Sequence, residues 1–319
     1  MKIVVTARNF TALDTRALDM LHTTGFEVVD KSSLGYGTGT TREQVIEALQ
    51  DADIAVAGLE PIDGEVLAAC PKLKMVSRRS VGYDSIDLEA CRKAGVTVTR
   101  ITGTVEPAVA EHVMAYLLYL GRNIEKENAM IHAGVWHREM AQGIKNRTLG
   151  LVGFGNIGKE IAKRAVPFGM EVLYYCRHPK PEWEERYRVK YCPFDELLAR
   201  SDFVSANVSL TDSTRGMFGA AEFARMKPDS VFINIARSGV MDANALKDAL
   251  DNGAIRAACV DVFDHEPCTD SPLISCPNAI LTPHTAAFTR ENFTVMNCCA
   301  AQNVLDYVHG SIRPEMQLV

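Results

Sequence analysis

The stretch Thr148-Leu149-Gly150-Leu151-Val152-Gly153-Phe154-Gly155-Asn156-Ile157-Gly158 decides how the rest of the chain is read. Residues 149–152 form a short apolar run. Beyond Gly158, Ile161, Ala162, Ala165 and Val166 recur at helical spacing. Strand, glycine turn and helix, in that order, are the setting that a dinucleotide fingerprint requires. Gly153 permits the tight turn, Gly155 lets backbone approach a pyrophosphate, and Gly158 lets helix and strand pack closely. Phosphates placed there meet free N–H groups and the positive end of the helix. A bare turn before an ordinary helix is the competing reading, and the flanking strand and helix weigh against it.

Working outward, both flanks alternate between strand and helix patterns. Upstream, strands are expected at residues 3–6, 26–29, 54–56, 74–77 and 96–99. Helices are expected at 11–21, with Leu13, Ala17, Leu18 and Leu21 on one face, and at 42–50, 64–69 and 88–94. The Gly- and Thr-rich residues 32–41 read as a loop. A long apolar helix at 106–121 follows, then an irregular segment around Gly134 and Trp136. Downstream, strands are expected at 172–175, 203–208, 231–235, 257–262 and 280–282. Helices fall at 194–200, 221–226, 244–251 and 290–309. Repeated β-α units imply parallel sheets with helices on both faces, an α/β class of two doubly wound domains.

Bulk properties narrow the class. A chain of 319 residues is long for one core, so two domains are the natural expectation. A net charge of −6 leaves no electrostatic footprint for nucleic acid or an anionic membrane. No apolar run reaches membrane-spanning length, and Met1 leads straight into a strand pattern rather than a signal peptide. Nine cysteines are irregularly spaced, with no CxxC pair and no Cys/His ligand spacing. Reduced thiols in a cytoplasmic protein without a metal are therefore expected.

Three polar residues follow strand patterns at the carboxyl ends where open α/β sheets place their ligands: Arg237, Glu266 and His284. Singly, each has an ordinary reading as a loop charge, a turn cap or a local hydrogen-bond partner. Together they converge on the rim where the glycine turn places a dinucleotide. The guanidinium of Arg237 can hold a carboxylate bidentately and polarise the neighbouring carbonyl. His284 can give or take the proton that accompanies hydride transfer, and Glu266 can fix its tautomer and stabilise the imidazolium.

At these residues the chain resembles the D-2-hydroxyacid dehydrogenase family. The resemblance rests on Val81-Gly82-Tyr83-Asp84, Val109-Ala110-Glu111-His112, the glycine turn, Asn234-Ile235-Ala236-Arg237, Asp261-Val262-Phe263 with Glu266-Pro267, and Thr282-Pro283-His284. These segments run in the family's order, nearly end to end. The resemblance implies a Rossmann domain at 102–286 inserted into a flavodoxin-like substrate domain of residues 1–101, with 287–319 returning to it. It places the family's catalytic Arg, Glu and His on Arg237, Glu266 and His284. N–H groups of Val81 and Gly82 would grip the substrate carboxylate. Phe154, Asn156, Ile157, Val208, Ile235 and Ala236 would line the cofactor, with Asp261 on its carboxamide. A homodimer and D stereochemistry are implied as well.

Departures bear on specificity. Val105 and Asn207 stand where the family often has Asn and His, whereas Glu266 separates the chain from the formate dehydrogenase branch, which has Gln there. The acid expected at the end of the second nucleotide-domain strand is replaced by Cys176, followed by Arg177, His178 and, two residues on, Lys180. Lacking an acid for the ribose 2′-OH and carrying added base, this site is expected to prefer NADP over NAD. Arg78 and Arg79 precede Val81 and could meet an anionic substrate tail, as in phosphoglycerate-type members. A small 2-keto acid such as glyoxylate or hydroxypyruvate is the alternative substrate. His112 reads as structural, and His132 and His137 have no evident partner. A dinucleotide-sensing corepressor of the same fold is the competing function class; the chain has no basic arm and no long disordered tail.

Overall fold

The computed structural model describes every residue except Thr38, so that part of the loop expected at 32–41 lies outside the described residues. The chain divides into two compact units, one of Met1–Val105 with Thr289–Val319 and one of Glu106–Phe288.

The first unit alternates β1 (Lys2–Val5), α1 (Arg16–His22), β2 (Glu27–Asp30), α2 (Arg42–Leu49), β3 (Ile54–Ala57), α3 (Gly64–Ala69), β4 (Met75–Arg78), α4 (Leu88–Ala94) and β5 (Thr97–Thr99). Its sheet is parallel with order β2-β1-β3-β4-β5, and the order reverses beside β1, as in a flavodoxin-like sheet. Every residue of β3 and β4 is buried, because a parallel strand carries helices on both faces. Helix starts are marked chemically: Thr41 with Gln44 forms a capping box, and Asp63 and Asp87 accept first-turn N–H groups. The first helix begins at Arg16 rather than residue 11. Leu13 is exposed, and the buried face starts at Ala17 and Leu21.

The second unit contains α5 (Glu106–Arg122), α6 (Ile124–His132), β6 (Thr148–Val152), α7 (Asn156–Ala165), β7 (Glu171–Tyr175), α8 (Pro181–Tyr187), β8 (Lys190–Tyr191), α9 (Phe194–Arg200), β9 (Phe203–Ala206), α10 (Ala220–Arg225), β10 (Val231–Asn234), α11 (Ala243–Asp251), β11 (Ala257–Val260) and β12 (Ala279–Leu281). Its parallel sheet has order β12-β11-β10-β9-β6-β7-β8, reversing at β6 and β9. The chain then returns to the first unit as α12 (Arg290–Val308), which packs on α1, β3 and β4. Ser77 Oγ donates to Ala300 O at 2.8 Å, and Asn297 Nδ2 donates to Phe10 O at 2.8 Å.

Two helices and one strand have no counterpart in the expected elements. The irregular segment expected after residue 121 holds α6, which buries none of its side chains. Neither does α8, and the two residues of β8 are both exposed. Without a buried face there is no apolar period for a sequence reading to find.

Candidate active site

In the second unit the three turn glycines do three different things. Gly153 has φ +101°, and a Cβ there would lie 2.6 Å from Asn207 O, just past the end of β9. At Gly158 a Cβ would lie 2.6 Å from Gly153 O, so helix and turn touch through backbone. Gly155 faces open space, with nothing within 4 Å of an added Cβ. It also caps α7 without any side chain satisfying the first N–H groups. Backbone donors, the helix dipole and open space coincide at Gly155, which fits a pyrophosphate. Val208 borders the turn, its Cγ1 lying 3.0 Å from the Cβ position of Gly153. Phe154 points elsewhere. Its ring is buried, 4.5 Å from the centroid of Tyr174 and 5.5 Å from that of Trp183, so its side chain is core rather than cofactor wall.

At the end of β7, Cys176 is half-buried, and burial pushes its thiol up. Arg177, His178 and Lys180 are exposed. From the first turn of α7, Lys159 reaches the same corner, with Nζ 4.3 Å from the ring centroid of Trp183; Lys180 Nζ lies 5.5 Å from the same ring. Burial first, then the charges of Lys180 and Arg186, hold the Lys159 ammonium below its ordinary value. Among the described residues, Lys159, Arg177, Lys180 and Arg186 form no ion pair with a carboxylate. Sequence reasoning missed Lys159; its place next to Gly158, one turn into the helix, was the available signal.

The catalytic candidates rest on a buried scaffold. Asn234, fully buried at the end of β10, accepts from Ala236 N at 3.0 Å and donates to Arg237 O at 3.0 Å, which shapes the turn carrying Arg237. Ile235 is buried in the same turn. Glu266 Oε1 accepts from Phe263 N at 3.1 Å, and Oε2 meets His284 Nδ1 at 2.7 Å. Burial pushes the Glu266 carboxyl up. The His284 hydrogen bond and charge, the Phe263 N–H and the Arg237 charge outweigh that and hold it below its ordinary value. His284 sits at φ +53°, its N–H donating to Thr282 O at 2.9 Å.

Asp261, expected on the nicotinamide carboxamide, also has a place in the scaffold. Fully buried, it accepts from Thr282 Oγ1 at 2.5 Å and Thr285 N at 2.8 Å through Oδ1, and from Ala286 N at 2.9 Å through Oδ2. It thereby clamps both sides of His284. Tyr116 of α5 joins through Thr282 Oγ1 at 2.5 Å, with His112 Nε2 3.4 Å from the same oxygen. Burial pushes the His112 imidazole below its ordinary value, partly opposed by Asp261.

In the first unit, the loop after β4 ties its carbonyls and leaves its amides. Arg78, itself buried, donates to Ser80 Oγ at 2.9 Å, Gly82 O at 3.2 Å and Ser85 Oγ at 2.9 Å. Its guanidinium is engaged by the loop itself, which bears on the expectation that it meets an anionic substrate tail. Among the described residues, neither the N–H of Val81 nor that of Gly82 donates to another group. Arg79 bonds Asn297 Oδ1 at 3.0 Å and lies 4.4 Å from the Phe293 ring centroid. Burial brings its guanidinium down to about 10 despite Glu60.

Comparison with known proteins gives the family. The profile of the D-isomer specific 2-hydroxyacid dehydrogenase NAD-binding domain matches residues 114–286. A glyoxylate reductase of Thermococcus litoralis is 38% identical over 285 residues, 86% of each chain. A glyoxylate/hydroxypyruvate reductase B of Klebsiella pneumoniae is 38% identical over 279 residues, 85% of this chain and 86% of the other. Among solved structures, an acyclic imino acid reductase in complex with NADPH and D-Arg superposes with TM-score 0.88 at 25% identity, covering 100% of both chains. No helix among the described residues is long and apolar enough to cross a membrane. The chain belongs to the D-isomer specific 2-hydroxyacid dehydrogenases, nicotinamide-dinucleotide-dependent oxidoreductases of small 2-keto and 2-hydroxy acids.

Proposed function

We propose that the protein reduces a small, unphosphorylated 2-keto acid of the glyoxylate or hydroxypyruvate type with NADPH, yielding the D-hydroxy acid where the product carbon is chiral. The observation that carries the chemistry is the 2.7 Å contact between His284 Nδ1 and Glu266 Oε2. It commits Nδ1 to the carboxylate and leaves Nε2, which has no partner among the described residues, as the atom that hands a proton to the substrate oxygen. Glu266 stabilises the imidazolium before transfer and fixes the tautomer after it. Arg237 holds the substrate carboxylate and polarises the carbonyl. The dinucleotide, when bound, supplies the hydride.

Gly155, Asn156 and Ile157 would hold the pyrophosphate through backbone N–H groups, and Val208, Ile235 and Ala236 would flank the nicotinamide. Asp261 acts chiefly by holding the His284 loop, and its Oδ2, with one bond in place, is the atom open to a carboxamide. The NADPH preference is supported by the uncharged Cys176, by Arg177 and His178 beside it, and by the ammonium of Lys159 above Trp183. The inward engagement of Arg78 and Arg79 supports a substrate without an anionic tail. Exposed Ile124, Ile131, Trp136 and Met140 support a homodimer formed through the second unit. Nine free thiols support a reducing, cytoplasmic setting.

Steady-state reduction of a panel of 2-keto acids with NADPH and with NADH tests the proposal. Fastest turnover of glyoxylate or hydroxypyruvate with NADPH is expected. Tight dinucleotide binding without turnover of any 2-keto acid would point instead to the corepressor-like reading.

A further inference from the structure

The loop after β11 carries a cluster that the proposed reaction does not use. His265 Nε2 lies 2.7 Å from Asp270 Oδ1, and Cys268 Sγ lies 3.7 Å from the same oxygen. The ligand atoms of all three residues lie within 4.8 Å of one another. They border a cavity of about 100 Å³ whose wall also includes Ser238, Met241, Phe263 and Pro272.

We propose that His265, Cys268 and Asp270 bind a divalent transition-metal ion of the Zn²⁺ class, with water completing a tetrahedron. Imidazole nitrogen, thiolate sulfur and carboxylate oxygen together suit a borderline ion such as Zn²⁺, whereas Mg²⁺ and Ca²⁺ take oxygen donors. Tetrahedral bonds of about 2.0–2.3 Å put a thiolate sulfur and a carboxylate oxygen about 3.6 Å apart, close to the spacing here. Nitrogen and oxygen ligands would stand about 3.3 Å apart, so the His265–Asp270 contact opens by about 0.6 Å. Rotation of these two exposed side chains provides that. All three ligands come from six consecutive residues, so little chain entropy is lost on chelation. The thiol proton leaves for solvent and the imidazole keeps its proton on Nδ1, so thiolate and carboxylate together neutralise the ion. The sequence shows the pattern only as His-x-x-Cys-x-Asp, which mixes three ligand types and matches no repeated ligand pair.

Occupancy has a consequence for turnover. Glu266 lies between two of the ligands in the chain, so a bound ion restrains the segment that presents Glu266 to His284 and slows keto-acid reduction. That consequence rests on the Glu266–His284 assignment; the binding itself does not.

The test uses the full chain, reduced with a phosphine, and the metal ion alone as probe. Zn²⁺ titration by calorimetry is expected to give one ion per chain at micromolar affinity. His265→Ala and Cys268→Ser, both outside the proposed catalytic machinery, are expected to weaken it at least about tenfold. Co²⁺ in the parent is expected to show thiolate-to-metal charge transfer that Cys268→Ser removes. Absence of Zn²⁺ binding to the parent, or a Co²⁺ spectrum unchanged in Cys268→Ser, overturns the site. Zn²⁺ is expected to slow reduction by the parent more than by Cys268→Ser; equal slowing in both overturns the link to turnover while leaving the Glu266–His284 assignment intact.

Discussion

At the scale of single residues, the proposed chemistry divides between groups whose charge matters and groups whose geometry matters. Arg237→Lys keeps the charge and loses the planar fork. It is expected to lower kcat/KM by roughly 10²-fold with little change in dinucleotide affinity, measured by steady-state kinetics and binding titration. Glu266 is held below its ordinary value of 4.5, so its ion pair contributes stability above that pH and loses it as pH falls through the lowered value. Glu266→Gln removes the titrating group. The stability gap between parent and variant therefore closes as pH falls through the lowered value, which denaturant unfolding at a series of acidic pH values measures. The same variant lacks the anion favouring imidazolium, so the pH–rate limb for reduction moves to lower pH. A limb that stays in place would remove Glu266 from proton transfer. At the 2′ corner, Arg177→Ala and Lys159→Ala should each cut the NADPH/NADH ratio of kcat/KM by roughly tenfold to a hundredfold, as expected for one lost charge-assisted bond of about 1.5–3 kcal/mol. An unchanged ratio in Lys159→Ala alone would leave the phosphate to Arg177.

At the scale of elements, the turn between β6 and α7 separates structural from binding roles within six residues. A methyl at Gly158 meets the carbonyl of Gly153, and backbone cannot step aside as a flexible side chain would. Gly158→Ala should cost roughly 1–3 kcal/mol, seen as a lowered Tm together with weakened dinucleotide binding. A methyl at Gly155 meets nothing in the protein, and φ −75° suits alanine. Gly155→Ala should therefore keep the parent Tm and lose affinity, because the methyl occupies the space reserved for phosphate. Equal Tm losses in the two variants would show that Gly155 is also a packing glycine. The loop after β12 follows the opposite logic. His284 holds a left-handed backbone that disfavours a side chain, and it does so because the buried carboxylate of Asp261 takes two amides and a hydroxyl around it.

At the scale of the whole molecule, α6 and the residues after it present apolar side chains that the chain itself does not cover. Trp136 is 84% exposed and Met140 is 98% exposed. Such exposure suits an interface between two copies better than a solvated surface. Size-exclusion chromatography with light scattering is expected to give a dimer for the parent and monomers for a Trp136→Ala, Met140→Glu double variant. A parent that runs as a monomer would reassign this face.

Much of this was legible in the sequence because it depends on near neighbours in the chain. Apolar period set the buried strands and the α/β class, and the glycine spacing 153, 155 and 158 set the nucleotide turn, since backbone freedom is a property of the residue itself. The ordered motifs ending in His284 pointed to the family for the same reason. What the sequence could not show depends on burial or on partners far along the chain. Helices α6 and α8 bury nothing, so no period betrays them. Arg78 reads as a surface cation until the fold buries it against Ser80, Gly82 and Ser85, and the scaffold part of Asp261 is invisible until the fold brings Thr282, Thr285 and Ala286 to its oxygens. Lys159 reads as an ordinary helix lysine until α8 places Trp183 beneath it. Local conformation was written in residue type; the assignment of each polar group to solvent, ligand or scaffold was decided only by tertiary structure, because desolvation is settled by which atoms arrive from elsewhere.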